Sequence, residues 1–174
     1  MISDSLQNAI NEQIAREQYA SQLYLSIAGH FELRNLRGFA TWMRRHSVEE
    51  TSHAMKLFDF LADRGGRIEV KALPQPINHF QSVQAAFEAA LDHERQVSKD
   101  IHKLYEMAQA EKDYSSHVLF EWFVTEQVEE EKTLEEILEH VRLVGNNNGM
   151  GLLLLDQQLA AKTGVATAAA GRES

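Results

Sequence analysis

Arg44-Arg-His-Ser-Val-Glu-Glu-Thr-Ser-His53 is the stretch on which the fold turns. Within it Glu50 and His53 lie three residues apart, on one face of any helix that carries them. Glu17 precedes Glu50 by 33 residues, and the same interval separates Glu94 from Gln127, which is followed three residues later by Glu130. The chain therefore reads as two copies of one helix pair. Each copy offers a lone carboxylate on one helix and an i, i+3 polar pair on the next, an arrangement able to hold two metal ions between four helices.

Outward from that segment, helix-compatible sequence fills almost the whole chain. The only two prolines, Pro74 and Pro76, fall in one stretch, roughly residues 65–79, that reads as non-helical. A first helix is expected from Ser3 or Asp4 to about Leu33, and a second from about Leu36 to Arg64, stopped by Gly65-Gly66. A third spans about Gln81 to Glu111, a fourth about Tyr114 to Val144, and a short fifth about Met150 to Lys162. Short turns at Arg34-Asn35 and Lys112-Asp113 make helices one and two, and three and four, antiparallel neighbours, while the 65–79 stretch is long enough to run the length of a bundle. The expected fold class is all-α: a four-helix bundle with one long crossover between helices two and three, plus a short C-terminal fifth helix. Within the crossover, Ile68-Glu-Val-Lys71 alternates like a strand edge, so pairing with the same segment of a second subunit and an irregular surface loop are both open. One domain, residues 1–162, is followed by an Ala/Gly-rich tail, residues 163–174, expected to be flexible.

Each of the four long helices carries an apolar stripe that is interrupted near its midpoint. Leu6, Ile10, Tyr24, Ile27 and Phe31 flank Glu17; Phe39, Met43, His46 and Leu57 flank Glu50 and His53. Phe87, Leu91, Ser98 and Ile101 flank Glu94, and Phe120, Phe123, Leu134 and Ile137 flank Gln127 and Glu130. An ionised carboxylate buried without a partner is strongly disfavoured, so glutamates on four core faces require compensating charge. No Arg or Lys occupies these stripes, which leaves protons, His53 or bound cations. Protonated carboxyls sharing hydrogen bonds would account for two or three of them. A Glu-x-x-His pair facing a lone glutamate instead makes the mixed oxygen and imidazole set suited to iron or manganese, and metal is the better explanation.

Composition excludes several other classes. With 174 residues, of which 44% are apolar, the chain is long enough to bury a core as one domain. It has no cysteine, which removes thiolate metal sites, disulfide frameworks and cysteine nucleophiles. A formal charge of −9 disfavours nucleic acid and suits a protein that gathers cations. The longest aliphatic run, Leu152 to Leu155, is far too short for a membrane span, and Met-Ile-Ser-Asp-Ser lacks the features of a signal peptide, so a cytoplasmic location is expected.

The chain resembles the prokaryotic non-haem ferritins over about residues 4–160. The segments that carry the resemblance are Asn11-Glu-Gln13, the Arg44 to His53 stretch, Asp59-x-Leu-x-Asp63 and Trp122-x-Val-x-Glu-Gln-x-Glu-Glu-Glu-Lys132. The ligand arrangement is the one known from ferritin-like di-iron carboxylate bundles. By that resemblance Glu17, Glu50 and His53 are expected to ligate one ferroxidase iron, with Glu50 bridging to a second that Glu94 and Glu130 complete. Gln127 resembles the amide that holds water or dioxygen species near the pair. Glu49, Glu126, Glu129 and Glu130 match the carboxylates of a third iron site. Read without the resemblance, the first three of these would be surface charge on helices two and four. Tyr24 follows Glu17 by seven residues on the same face and matches a tyrosine that donates an electron during oxidation, while Trp122 matches an aromatic position on helix four. Core packing is an equally valid use for both rings.

Departures from related families narrow the reading. Bacterioferritins carry a methionine beside the first Glu-x-x-His and a second such motif on helix four; here Thr51 follows Glu50, and Glu130 stands where the second histidine would be, so no haem is expected. Rubrerythrins need a cysteine-ligated iron, and mini-ferritins lack the fifth helix. The resemblance thus implies an iron-storage ferroxidase with two irons per subunit and provision for a third. It would oxidise Fe(II) with dioxygen or hydrogen peroxide and store ferric mineral inside a homo-oligomeric 24-subunit shell, without nucleic-acid or membrane partners. The leucines of the fifth helix would then contact symmetry mates. A haem-containing bacterioferritin and a di-iron oxidase or peroxidase of the same fold are the alternatives.

Overall fold

In the computed structural model, which describes residues 2–162, five α-helices follow one another: α1 (Asp4–Glu32), α2 (Arg37–Asp63), α3 (Val83–Ala110), α4 (Tyr114–Val144) and α5 (Gly149–Lys162). The 163–174 tail lies outside the described residues. Four of the helices begin on side-chain caps, that of α5 being Asn148, whose Oδ1 accepts from the Gly151 N–H at 3.0 Å. Ser3 Oγ accepts from the Leu6 N–H at 3.1 Å, Ser82 Oγ from the Ala85 N–H at 3.0 Å, and Asp113 Oδ1 from the Ser116 N–H at 3.1 Å. The tight reversals between α1 and α2 and between α3 and α4 place Asn35 (φ 58°) and Lys112 (φ 55°) in the left-handed region. These bounds agree closely with the expected helices.

The crossover contains no strand among its residues. Its first part is instead tied to α1 by side chains that act as a substitute strand edge. The Arg67 N–H donates to Gln7 Oε1 at 2.7 Å and the Glu69 N–H to Asn11 Oδ1 at 2.8 Å, while Asn11 Nδ2 donates to the Arg67 carbonyl at 2.9 Å. Of the two open readings of Ile68 to Lys71, the irregular segment is the one observed within the subunit. The apolar positions of its alternation share no buried face, since Ile68 packs against the core while Val70 faces outward.

The core is divided in two. One apolar cluster gathers Tyr24, Phe31, Phe39, Phe87 and Leu138; the other gathers Ile10, Leu57, Leu104 and Phe120. Hydrophobic burial in these two halves holds the bundle together, at about 1.5–3 kcal/mol for each fully buried large side chain. The polar interruptions of the four stripes lie between them along each helix.

The fifth helix docks on the start of α2. Leu36, at the N-cap of α2, makes no side-chain cap, and Asp156 of α5 supplies it: Oδ1 accepts from the Phe39 N–H at 2.7 Å. A Cβ added at Gly38 would lie 1.9 Å from the Asp156 carbonyl oxygen, so only glycine allows this approach. Leu152 and Leu159 are buried by the docking, whereas Leu153 and Leu154 remain exposed and available to other subunits. Gly38→Ala is therefore expected to unseat α5, and Asp156→Ala to cost about 1–2 kcal/mol as lost caps do. Limited proteolysis across residues 145–149 reads both variants; a Gly38→Ala protein cleaved no faster than wild type would contradict the close packing.

Candidate metal centre

The midpoints of the four long helices bring six polar side chains to one level. Glu17 comes from α1, Glu50 and His53 from α2, Glu94 from α3, and Gln127 and Glu130 from α4. All six are at most 6% exposed, so solvent does little to stabilise their charged forms. Each arrives by helical register: a residue on the inner stripe must point inward, whatever its chemistry.

Their hydrogen bonds are unequal. Glu94 has both oxygens engaged, with the Tyr24 hydroxyl donating to Oε1 at 2.8 Å and Gln127 Nε2 donating to Oε2 at 3.1 Å. Gln127 Nε2 also faces the Glu94 carbonyl at 3.2 Å and Ser98 Oγ at 3.4 Å. Glu17 has one oxygen engaged, Oε1, which accepts from Gln13 Nε2 at 2.8 Å. Glu17 Oε2, Glu50 Oε1 and Glu130 Oε2 are buried with no hydrogen-bond partner. Leaving such a group unsatisfied costs about 1–3 kcal/mol, so these three oxygens together mark a place where another species is meant to bind.

Two groups of ligand atoms are close enough to share an ion. Glu17, Glu50 and His53 offer atoms all within 4.8 Å of one another, and so do His46, Glu49 and Glu130. His53 Nδ1 lies 3.5 Å from Glu50 Oε2, and His46 Nδ1 lies 3.4 Å from Glu130 Oε2 and 3.6 Å from Glu49 Oε2. Glu94 belongs to neither group, and Tyr24 and Gln127 hold its oxygens. Glu126 and Glu129 line, with Glu49, Glu130, His46 and Arg45, a cavity of about 290 Å³ beside the second group. The donor set is oxygen with imidazole, which suits iron, manganese or zinc and matches the unpartnered atoms present.

Burial and mutual repulsion set the electrostatics. Desolvation raises the pKa of Glu17, and raises that of Glu50 strongly, with the charges of Glu94, Glu17 and Glu130 adding to the effect on Glu50. Burial pushes Glu94 up to about 8, with the charge of Glu130 contributing. Burial likewise lifts the Tyr24 hydroxyl well above its ordinary range, assisted by the charge of Glu94, so it stays protonated and donates. At the cavity, Glu126 is raised by burial first and then by Glu130, Glu49 and Glu129. A cation among these carboxylates reverses the preference, because it favours the ionised forms.

Two side chains acquire a place here that their sequence position did not assign. His46 was legible only as part of the α2 stripe; its steps to Glu49 and Glu50 were the available signal, but the approach of Glu130 comes from α4. Gln13 lay in a family-like segment without a role. The aromatic positions also resolve. Trp122 is 37% exposed, with its ring edge-on to His53 at 5.6 Å and the Lys56 ammonium 4.0 Å from its centroid, so it walls the centre from outside and is not fully packed in the core. Met43 fills the core, as gap-filling methionines do, whereas Met55 is 43% exposed and fills no core gap.

The model of the ferritin-like domain family matches residues 7–144. The chain belongs to the ferritin family. Similar proteins include the bacterial non-heme ferritin of Bacteroides fragilis (strain 638R), 40% identical over 159 residues that cover 91% of this chain and 98% of that protein. The bacterial non-heme ferritin of Campylobacter jejuni is 35% identical, covering 91% of this chain and 95% of its own. Among solved structures, the open pore ferritin from the hyperthermophilic archaeon Archaeoglobus fulgidus superposes with a TM-score of 0.90 at 44% identity, covering 92% of this chain and 98% of that one. A closed form of the same ferritin, engineered by site directed mutagenesis, gives 0.89. The four-helix bundle with its short fifth helix is thus the family's architecture.

Proposed function

We propose that this chain is an iron-storage subunit with ferroxidase activity, oxidising Fe(II) to Fe(III) at the centre of its bundle and passing the product to a ferric mineral. Dioxygen or hydrogen peroxide is the acceptor, the working assembly is a hollow 24-subunit shell, and the location is cytoplasmic. The observation that carries this reading is that three buried carboxylate oxygens lack a hydrogen-bond partner: those of Glu17 and Glu50, which group with His53, and that of Glu130, which groups with His46 and Glu49. Membership of a family whose relatives are named non-heme ferritins supports the choice of iron.

Glu17, Glu50 and His53 would receive one Fe(II). Glu50, whose Oε1 has no hydrogen-bond partner, would bridge to a second Fe(II) held by Glu130 and Glu94. Glu94 can take part while keeping both hydrogen bonds, because each of its oxygens retains a further lone pair, and Gln127 and Tyr24 hold it in position. Paired irons deliver two electrons together, and a carboxylate-rich set favours Fe(III) over Fe(II). Tyr24, hydrogen-bonded to Glu94, is positioned to supply a further electron and a proton. His46, Glu49, Glu126, Glu129 and Glu130 would form the third site, at the mouth of the cavity.

An anaerobic Fe(II) titration followed by oxygen, on protein sized by light scattering, tests the reading. Two Fe(II) per subunit should be oxidised rapidly, with a further increment at the third site, in a particle of shell dimensions. Protein that takes up no Fe(II) stoichiometrically would end the proposal. His46→Ala and Glu129→Ala should each remove the further increment while leaving the rapid pair. Retention of the full uptake by both would return these residues to surface charge.

A further inference from the structure

Gln13 is a fully buried amide that the proposed chemistry leaves unused. It lies one helical turn before Glu17 on α1, with no exposed surface, between the core residues Ile10 and Ile14. Its Nε2 donates to Glu17 Oε1 at 2.8 Å, and its Oε1 accepts from Arg16 Nη1 at 3.4 Å. Arg16 Nη1 in turn lies 3.5 Å from Asp100 Oδ2 on α3. Asp100 is itself 4% exposed and is held by Gln96 Nε2 at 3.0 Å and Lys103 Nζ at 2.7 Å. A line of polar contacts therefore runs from a candidate metal ligand, through one amide, to the neighbouring helix.

The partners determine which way the amide points. The opposite orientation would set its oxygen against the Glu17 carboxylate and its NH₂ against the Arg16 guanidinium, two repulsive contacts in place of two attractive ones. An amide does not ionise, so it donates to Glu17 whatever the protonation of its neighbours. The consequence is a graded set of carboxylates: Glu94 has both oxygens held, Glu17 one, and Glu50 and Glu130 neither by an amide.

We propose that Gln13 is a positioning residue for the metal centre: it restrains Glu17 to ligation through Oε2 alone, with Arg16 and Asp100 fixing the amide. This rests on the metal-centre reading above. Restraint of this kind lowers the cost of ordering the ligand before metal arrives and leaves coordination positions open for substrate oxygen.

Co(II), spectroscopically active and redox-stable here under anaerobic conditions, separates the two ideas. In Gln13→Met, which keeps the side-chain volume and removes both polar atoms, the first Co(II) should bind about 10- to 100-fold more weakly, as loss of an outer hydrogen-bond partner does. Its visible absorption should also fall, because a released Glu17 chelates through both oxygens and raises the coordination number. Gln13→Asn, one methylene too short to reach Glu17, should shift both readouts the same way and serves if the methionine variant fails to assemble. Arg16→Met should give a smaller shift, since its contact is longer and partly solvated. Unchanged Co(II) affinity and spectrum in an assembled Gln13 variant would overturn the inference. Wild-type protein that binds no Co(II) at this centre would instead overturn the metal-centre reading itself.

Discussion

Glu50→Ala is expected to lower the initial rate of Fe(II) oxidation by about 100-fold or more, beyond the roughly 10–100-fold typical of outer partners, because it deletes a ligand. Glu50 is the proposed bridge between the two halves of the centre. It shares the first ligand group with Glu17 and His53, and the charges of Glu94 and Glu130 act on it from the other side. No neighbouring carboxylate replaces it, since Glu17 is engaged by Gln13 and Glu94 by Tyr24 and Gln127. Stopped-flow absorbance of the ferric product gives the rate, and light scattering the assembly. Assembly should survive, because truncation removes a carboxylate that burial disfavours and leaves both apolar clusters intact. An unaltered initial rate would show that oxidation takes place elsewhere.

The metal-free protein should lose stability as pH rises from about 6.5 to 8, above the range in which the buried His93, lowered to about 4, gives the opposite slope, and added divalent metal should abolish that loss. Burial holds Glu17, Glu50 and Glu94 above the ordinary carboxylate value of 4.5, with Glu94 at about 8. In the unfolded chain these groups ionise near 4.5, so between that value and about 8 the native state binds more protons than the unfolded state. Stability is then fully present below the unfolded pKa and declines as pH climbs through the folded one. Each tenfold difference in proton affinity between the folded and unfolded chain is worth about 1.4 kcal/mol. A bound cation replaces the protons and removes the slope. Thermal unfolding between pH 6.5 and 8, with and without Co(II), measures it. A metal-free melting temperature that stays level or rises over that interval would contradict the buried-carboxylate account.

Much of the architecture was legible along the chain because its signals are local. Helix periodicity, the caps Ser3, Ser82 and Asp113, and the confinement of both prolines to one segment depend on residues within a few positions of one another. The strand-like alternation of Ile68 to Lys71 was ambiguous for the same reason: its backbone partners, Gln7 and Asn11, lie some sixty positions away on α1. Asp156 gave no sign in the sequence of capping α2, since its partner Phe39 is 117 residues distant.

For the centre itself, the register decided that Glu17, Glu50, His53, Glu94, Gln127 and Glu130 would face the core at one level, because a side chain on the inner stripe of a helix has nowhere else to point. What each carboxylate is free to do was decided only by tertiary structure. Gln13 engages one oxygen of Glu17, Tyr24 and Gln127 engage both of Glu94, and His46 meets Glu130 across two helices. Periodicity specifies a direction in space, while the availability of an oxygen to a metal depends on hydrogen-bond partners whose distances are set when the helices pack.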